Sequence, residues 1–233
     1  GGRNEFGRLP GMPASSYAYG IASDGLTLGG QTVTEAYRYR LGDPALERLG
    51  VQSGYTTSKA TGISGDGEVV AGYSRYGDVG DIHQAFRWTG ATGLVGLGFA
   101  RPEHFASEAT AISRDGATIV GHGRGGGYNG AFAWTAATGM VPLPGLDATN
   151  EGRAFGVNFD GSLIVGDSGS SQTATMWVDG TPVSLGVAPG FDWSRANGTN
   201  DGGTVVVGSL FGAPLGQTAG IWTPARGMEP LAD

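Results

Sequence analysis

Three segments of the 233-residue chain carry residue types whose spacing could do chemistry. Gly166-Asp-Ser-Gly-Ser170 has the form that surrounds a nucleophilic serine in one class of acyl-transfer enzyme. That chemistry needs an imidazole base held by a carboxylate, and an oxyanion hole. No histidine stands near in sequence, and Gly166 belongs to a repeat described below, so the match reads as coincidence. Gly121-His-Gly-Arg-Gly-Gly126 matches G-x-G-x-x-G. Such glycines cradle a pyrophosphate only where a helix N-terminus follows. Here Tyr128-Asn-Gly leads straight into a tryptophan strand, and the glycines read as a hairpin loop. Asp78-Val-Gly-Asp81-Ile-His83 gathers two carboxylates and an imidazole in one Gly-rich stretch. Calcium takes roughly 6–8 oxygen ligands, so this stretch reads as a solvated loop. His83, His104 and His122 lie in different units, without the i, i+4 spacing of a zinc helix. There is no Cys, hence no disulfide, thiolate site or thiol nucleophile. No metal and no cofactor is expected.

Composition narrows the class of partner. Lys59 is the only lysine and the net charge is −7, which argues against nucleic acid and anionic membranes. No apolar run is long enough to span a bilayer. Gly and Pro together make up about a quarter of the chain, the range of low-complexity sequences unless the glycines are periodic. They are periodic. Ala18–Gly25, Ala60–Gly67, Ala109–Gly116, Ala154–Gly161 and Ala196–Gly203 align, their last glycines 42, 49, 45 and 42 residues apart. Five residues further on stand Gly30, Gly72, Gly121, Gly166 and Gly208. Then come five Ala-x-x-aromatic blocks, starting at Ala36, Ala85, Ala131, Ala174 and Ala219. Eight to ten residues beyond each block comes a leucine: Leu49, Leu97, Leu143, Leu185, Leu231.

Each unit reads as four short strands. A small, apolar first strand meets an Asp-Gly turn, a β-branched second strand follows, the third carries the aromatic residue, and the fourth ends at the leucine. No apolar stripe of helical period runs for 11 residues. Units of this length and strand count predict an all-β propeller of five four-stranded blades, each of about 45 residues, in a single repeat domain. The units are approximately 10–50, 51–98, 99–145, 146–186 and 187–233. A parallel β-helix, with coils of roughly 20–25 residues and no need of an Asp-Gly turn in each, fits less well. Trp88, Trp134, Trp177 and Trp222 are expected to be buried. Gly1-Gly2, without a Met or a signal-like stretch, reads as the start of a mature segment or a piece of a longer chain. Phe6-Gly-Arg-Leu9 reads as a spare fourth strand, either closing the ring beside the last blade or left over from a longer array.

The landmarks resemble the HAF repeats of bacterial extracellular proteins. The segments that match best are Gln84-Ala85-Phe86-Arg87-Trp88-Thr89, ending at Leu97-Gly98, and Gly130-Ala131-Phe132-Ala133-Trp134-Thr135. Gln84 and Gly130 stand where the family has its histidine. The resemblance implies export and a place in autotransporter-like passengers or surface proteins. It brings no catalytic residues.

Function is expected on one face. Loops 1–2 and 3–4 of a blade share one face and are short here. Loops 2–3 and the connections between blades share the other, and from repeat Gly to Ala the 2–3 loops span 6, 13, 10, 8 and 11 positions. Length variation on one face points to that face. Phe99, Arg101, His104, Phe105, Asp192 and Trp193 lie in its connections and suit a protein or glycan ligand. The inner strands read as Ala, Gly, Ile and Ser, their only acids being the turn residues Asp24, Asp66, Asp115 and Asp160. That argues against a hydrolase, which needs a carboxylate pair at set separation. The sequence therefore reads as a non-catalytic extracellular or surface binding or scaffold module. It is expected to be a monomer or part of a longer chain, without membrane insertion by this segment. A propeller lectin is the alternative, and a hydrolase the third reading.

Overall fold

A computed structural model of the chain describes residues 15–77, 82–213 and 216–231. Twenty strands form five separate sheets of four antiparallel strands each, and the described residues contain no helix. The first blade is β1 (Tyr17–Ile21), β2 (Thr27–Gln31), β3 (Ala36–Arg40) and β4 (Glu47–Gly50). The second is β5 (Thr57–Ile63), β6 (Val69–Arg75), β7 (His83–Thr89) and β8 (Gly93–Gly98). The third is β9 (His104–Ile112), β10 (Ile119–Gly125), β11 (Tyr128–Thr135) and β12 (Gly139–Pro142). The fourth is β13 (Gly152–Val157), β14 (Leu163–Ser168), β15 (Thr173–Val178) and β16 (Thr181–Gly186). The fifth is β17 (Trp193–Thr199), β18 (Val206–Gly212), β19 (Gly216–Thr223) and β20 (Gly227–Pro230). In every sheet the strands lie in chain order. This is a β-propeller, and the one-sheet-per-unit arrangement excludes the β-helix.

The repeat sequence explains the repeat structure. Gly25, Gly67, Gly116, Gly161 and Gly203 close the first turn with φ between 65° and 81°, a region that favours glycine. The turn aspartates bond the chain just beyond them: Asp66 Oδ1 accepts the Glu68 N–H at 3.0 Å, and Asp24 Oδ1 the Leu26 N–H at 2.8 Å. Every first strand carries a β-bulge after its alanine, in which Tyr19, Thr61, Thr110, Phe155 and Asn197 are the extra residues. The bulge turns a carbonyl toward the repeat glycine of strand two, leaving no room there for a side chain.

The first strands converge. Thr61 Oγ1 donates to the Ala109 carbonyl at 2.8 Å, and Thr110 Oγ1 to the Ala154 carbonyl at 2.7 Å, each reaching the next blade's first strand. Apolar clusters fill the four spaces between successive blades; Ala36, Leu49, Ala60, Ile63, Phe86 and Trp88 belong to the first of these. Full burial of a side chain such as Phe86 contributes about 1.5–3 kcal/mol. At three of the four junctions a serine joins adjacent blades, Gly152 holding that position at the junction of the third and fourth. Ser58, Ser107 and Ser194 each accept the N–H of the preceding blade's Ala36, Ala85 or Ala174 at 2.8–3.0 Å. Each hydroxyl then donates to the carbonyl of Gly50, Gly98 or Gly186.

The aromatic column divides. Trp88 and Trp177 are buried, whereas Trp134 and Trp222 are half-buried against their clusters. The ring two residues before this aromatic position (Tyr39 in the first blade, Trp88 and Trp134 in the next two) is buried more consistently: Tyr37, Phe86 and Phe132 are almost wholly enclosed, lying over Gly30, Gly72 and Gly121. The spare strand expected at Phe6–Leu9 and the Asp78–Asp81 stretch lie outside the described residues.

Candidate functional site

The register of strands one and two places one residue pair per blade at the same level beside the axis. These pairs are Tyr17 with Gln31, Lys59 with Tyr73, Glu108 with His122, Arg153 with Asp167, and Arg195 with Ser209. The level lies toward the start of the first strands, the end that also carries the 2–3 loops and inter-blade connections. The expectation that the turn aspartates are the only acids of the inner strands is corrected here. Glu108 lies on β9, and Asp167 faces Arg153 from β14.

Two of these pairs, Lys59 with Tyr73 and Glu108 with His122, line an open recess of about 350 Å³ together with Ala109 and the bulge residues Tyr19, Thr61, Thr110 and Phe155. Lys59 Nζ sits 4.1 Å from the centre of the Tyr19 ring and 5.8 Å from that of Tyr73. His83 Nδ1 donates to Glu108 Oε1, and the His83 ring tilts against Tyr73 at 5.3 Å. His122 stands 6.4 Å from Phe155. Beyond it, Asp167 is buried and accepts Arg153 Nε at 3.1 Å, Arg153 Nη2 at 2.8 Å and Arg195 Nε at 3.0 Å. The Arg195 guanidinium lies 4.7 Å from the centre of Phe155. Trp193 and Phe211, paired across β17 and β18, stack at 3.5 Å with an interplanar angle of 6°. Charged and aromatic groups thus alternate from the first blade to the fifth.

The ring's titration follows from its packing. Burial pushes the Tyr73 phenol up, Glu108 adds to this, and it reaches about 12. Burial pushes Glu108 up as well, but the His83 hydrogen bond and the nearby His122, His83 and Lys59 outweigh it, so the carboxyl ends below its ordinary value. Burial holds the His122 imidazole below its ordinary value.

The residues expected to bind ligand fall into two groups on separate connections, with β13 between them. Phe105 is half-exposed and lines a recess of about 280 Å³ with Arg124, Gly125, Gly127 and Asn129. Phe99 is also partly exposed. His104 is instead turned inward: its ring fills space over Gly123 and Gly130, with Arg101 beside Gly130. Asp192 is exposed and accepts the Ala213 N–H at 3.2 Å. Trp193 is half-buried in its stack, with the Arg195 guanidinium 5.7 Å from its ring. Trp193 therefore adjoins the axial ring. Gly121–Gly125, read as a loop, is strand β10, and its glycines admit the Glu108 carbonyl and the His104 ring. The segment after Gly166 is structural too: Asp167 is held by two arginines, and Ser168 Oγ accepts the Leu146 N–H at 2.9 Å.

No family model matches the chain, and neither does any curated protein. Solved structures share its fold. A putative TolB from Agrobacterium tumefaciens is similar with a TM-score of 0.65 and 17% identity, over 94% of this chain and 81% of that one. Prolyl oligopeptidase B from Galerina marginata is similar with a TM-score of 0.60 and 10% identity, over 91% of this chain and 33% of that one. A puromycin hydrolase S511A mutant is similar at 0.60 and 12%, over 95% of this chain and 39% of that one. At these identities the likeness is one of fold. The chain is a β-propeller.

Proposed function

We propose that this propeller is a non-catalytic binding module, exported in the manner of the HAF-like repeats it resembles, that takes a polypeptide segment on the loop-bearing end of its axis. The observation that carries this reading is the ring from Lys59 to Arg195, because it is composite: each blade contributes a different residue pair at one register level. A lectin with one site per blade would repeat its ligand residues. Sugar rings also need open aromatic faces. Here Lys59 covers Tyr19, Arg195 covers Phe155, and Trp193 and Phe211 cover each other. Both signs of charge around one recess suit a charged peptide better.

The same groups speak against catalysis. Tyr73 at about 12 is a poor base at neutral pH, and Glu108, below its ordinary value, is a poor general acid. Asp167 is engaged by two guanidinium groups. Among the described residues, no Ser or Thr hydroxyl is hydrogen-bonded to His122.

A displayed random-peptide library and a glycan array, both probed with the 233-residue chain, test the reading. Enrichment of charged peptides, lost in Lys59→Met and retained in Phe99→Ala, supports it. Binding of glycans alone, or of peptides indifferent to Lys59, overturns it.

A further inference from the structure

We propose that the outer faces of the first and fifth blades are two halves of one inter-blade interface, and that their occupant is a single further four-stranded blade of this repeat's own chemistry. The interface is already formed four times within the chain, so its requirements can be read from those copies.

On the leading side of a blade, the third-strand alanine is covered by the next blade: Ala36, Ala85, Ala131 and Ala174 are at most 1% exposed. Ala219, at that position in the fifth blade, is exposed. On the second strand, Ala71, Val120 and Val165 are 0% exposed, whereas Val207 at the same place is 49% exposed. The trailing side shows the same contrast. Ala60, Ala109, Ala154 and Ala196 are 0% exposed, but Ala18 is exposed. Ile63 and Ile112 are 7% and 9% exposed, and Ile21 is 60%.

The polar half of the interface is open as well. Ser16 holds the position of Ser58, Ser107 and Ser194, each of which bridges to the preceding blade. No hydrogen bond of the Ser16 hydroxyl is found among the described residues. Nor does any described hydrogen bond, ion pair or ring contact join the first blade to the fifth. The two faces therefore do not cover each other. A blade with Ser-x-Ala on its first strand and an Ala-x-x-aromatic third strand meets both needs. Its serine accepts the Ala219 N–H, and its third-strand alanine N–H donates to Ser16. A second copy of the chain, docked first blade on fifth, would leave the same two faces open at the far ends, a head-to-tail contact that does not close.

The test joins a copy of residues 50–98 directly after Leu231, in register with the natural junction after Leu49. A parallel version carries residues 98–145 in the same place, so that one graft failing to fold does not decide the matter. The chain has no Cys, so Ile21→Cys and Val207→Cys each give a single reporter thiol. In the 233-residue chain both thiols should alkylate at the rate of a free thiol. In at least one six-repeat chain both should slow at least tenfold, in a monomer with a raised melting temperature. Unchanged alkylation in both grafts overturns the proposal. So does protection of both thiols in the 233-residue chain, where a monomer would mean the two faces close on each other and a concentration-dependent assembly would identify a second copy as the occupant.

Discussion

Gly72 lies directly beneath the Lys59 carbonyl: a Cβ on Gly72 would sit 1.9 Å from that oxygen and 2.8 Å from the Phe86 ring. The same relationship holds for Gly30, Gly121, Gly166 and Gly208, whose added Cβ atoms would lie 1.8–2.0 Å from the carbonyl of the residue before the repeat alanine. The glycine thus tolerates the bulge, and the bulge adds one residue to the strand that borders the axis. Thr61, Thr110 and Phe155 reach the recess from that extra position.

Gly72→Ala should therefore be among the most damaging small substitutions in the chain. The obstacle is backbone and cannot swing aside, and overpacking of this kind costs about 1–3 kcal/mol or more. Gly90→Ala, with nothing within 4 Å of its added Cβ, should be close to neutral. Urea unfolding of the two variants measures the contrast. Equal midpoints would show that the bulge relaxes freely.

Trp177 and Trp222 hold equivalent positions in unequal surroundings. Trp177 is wholly buried, and its Nε1 donates to the Pro144 carbonyl at 2.7 Å. Trp177→Ala should cost about 3–5 kcal/mol. Half-buried Trp222 should cost clearly less, because part of its ring already meets water. Thermal melts of both variants test the order, and a Trp222→Ala loss as large as that of Trp177→Ala would contradict it.

Blade number, strand order and turns were legible in the sequence because each is set locally. An Asp-Gly pair defines a turn, and a glycine five residues on defines where the bulge can sit. The axial ring was harder to see. Its residues stand just before the repeat alanine, at Tyr17, Lys59, Glu108, Arg153 and Arg195, a position that is charged in four of five units. That column was a usable signal, masked by the small apolar residues around it. Asp167 was read through its Gly-Asp-Ser-Gly setting rather than through its partners, Arg153 and Arg195, which stand 14 and 28 residues away. His104 and Trp193 looked alike on their connections. Only the tertiary fold turns the first over two glycines and sets the second against Phe211.

His122 predicts a pH response. Its folded-state pKa lies below the ordinary histidine value of 6.5, burial being the main cause, so the unfolded chain takes up the proton more readily. The resulting stability is fully present above about pH 6.5 and is lost as pH falls through that value toward the folded-state pKa. His122→Gln removes the titration, so its stability should decline less between pH 7 and pH 5 than that of the parent chain. Parallel slopes in urea titrations across that range would show that His122 takes on its proton in the fold without penalty.

The last prediction concerns Asp167, whose side chain is 2% exposed while those of its partners Arg153 and Arg195 are 25% and 24% exposed. Removing one member of a buried charge group typically costs about 3–5 kcal/mol, because the partners lose their counter-charge in a poorly solvated place. Here the arginines are partly solvated, so Asp167→Asn should cost less, about 2 kcal/mol. The loss should also be specific. Arg195 is held between Asp167 and Phe155, so releasing it frees the Phe155 ring beside the axial recess. Arg195→Met keeps an unbranched apolar side chain at this position but removes the charge, and in the Asp167→Asn background it should recover part of the lost stability. A double-mutant cycle on denaturation free energies measures the coupling. Strict additivity of the two changes would mean that Asp167 is held by Arg153 alone and that the link between the fourth and fifth blades rests on packing.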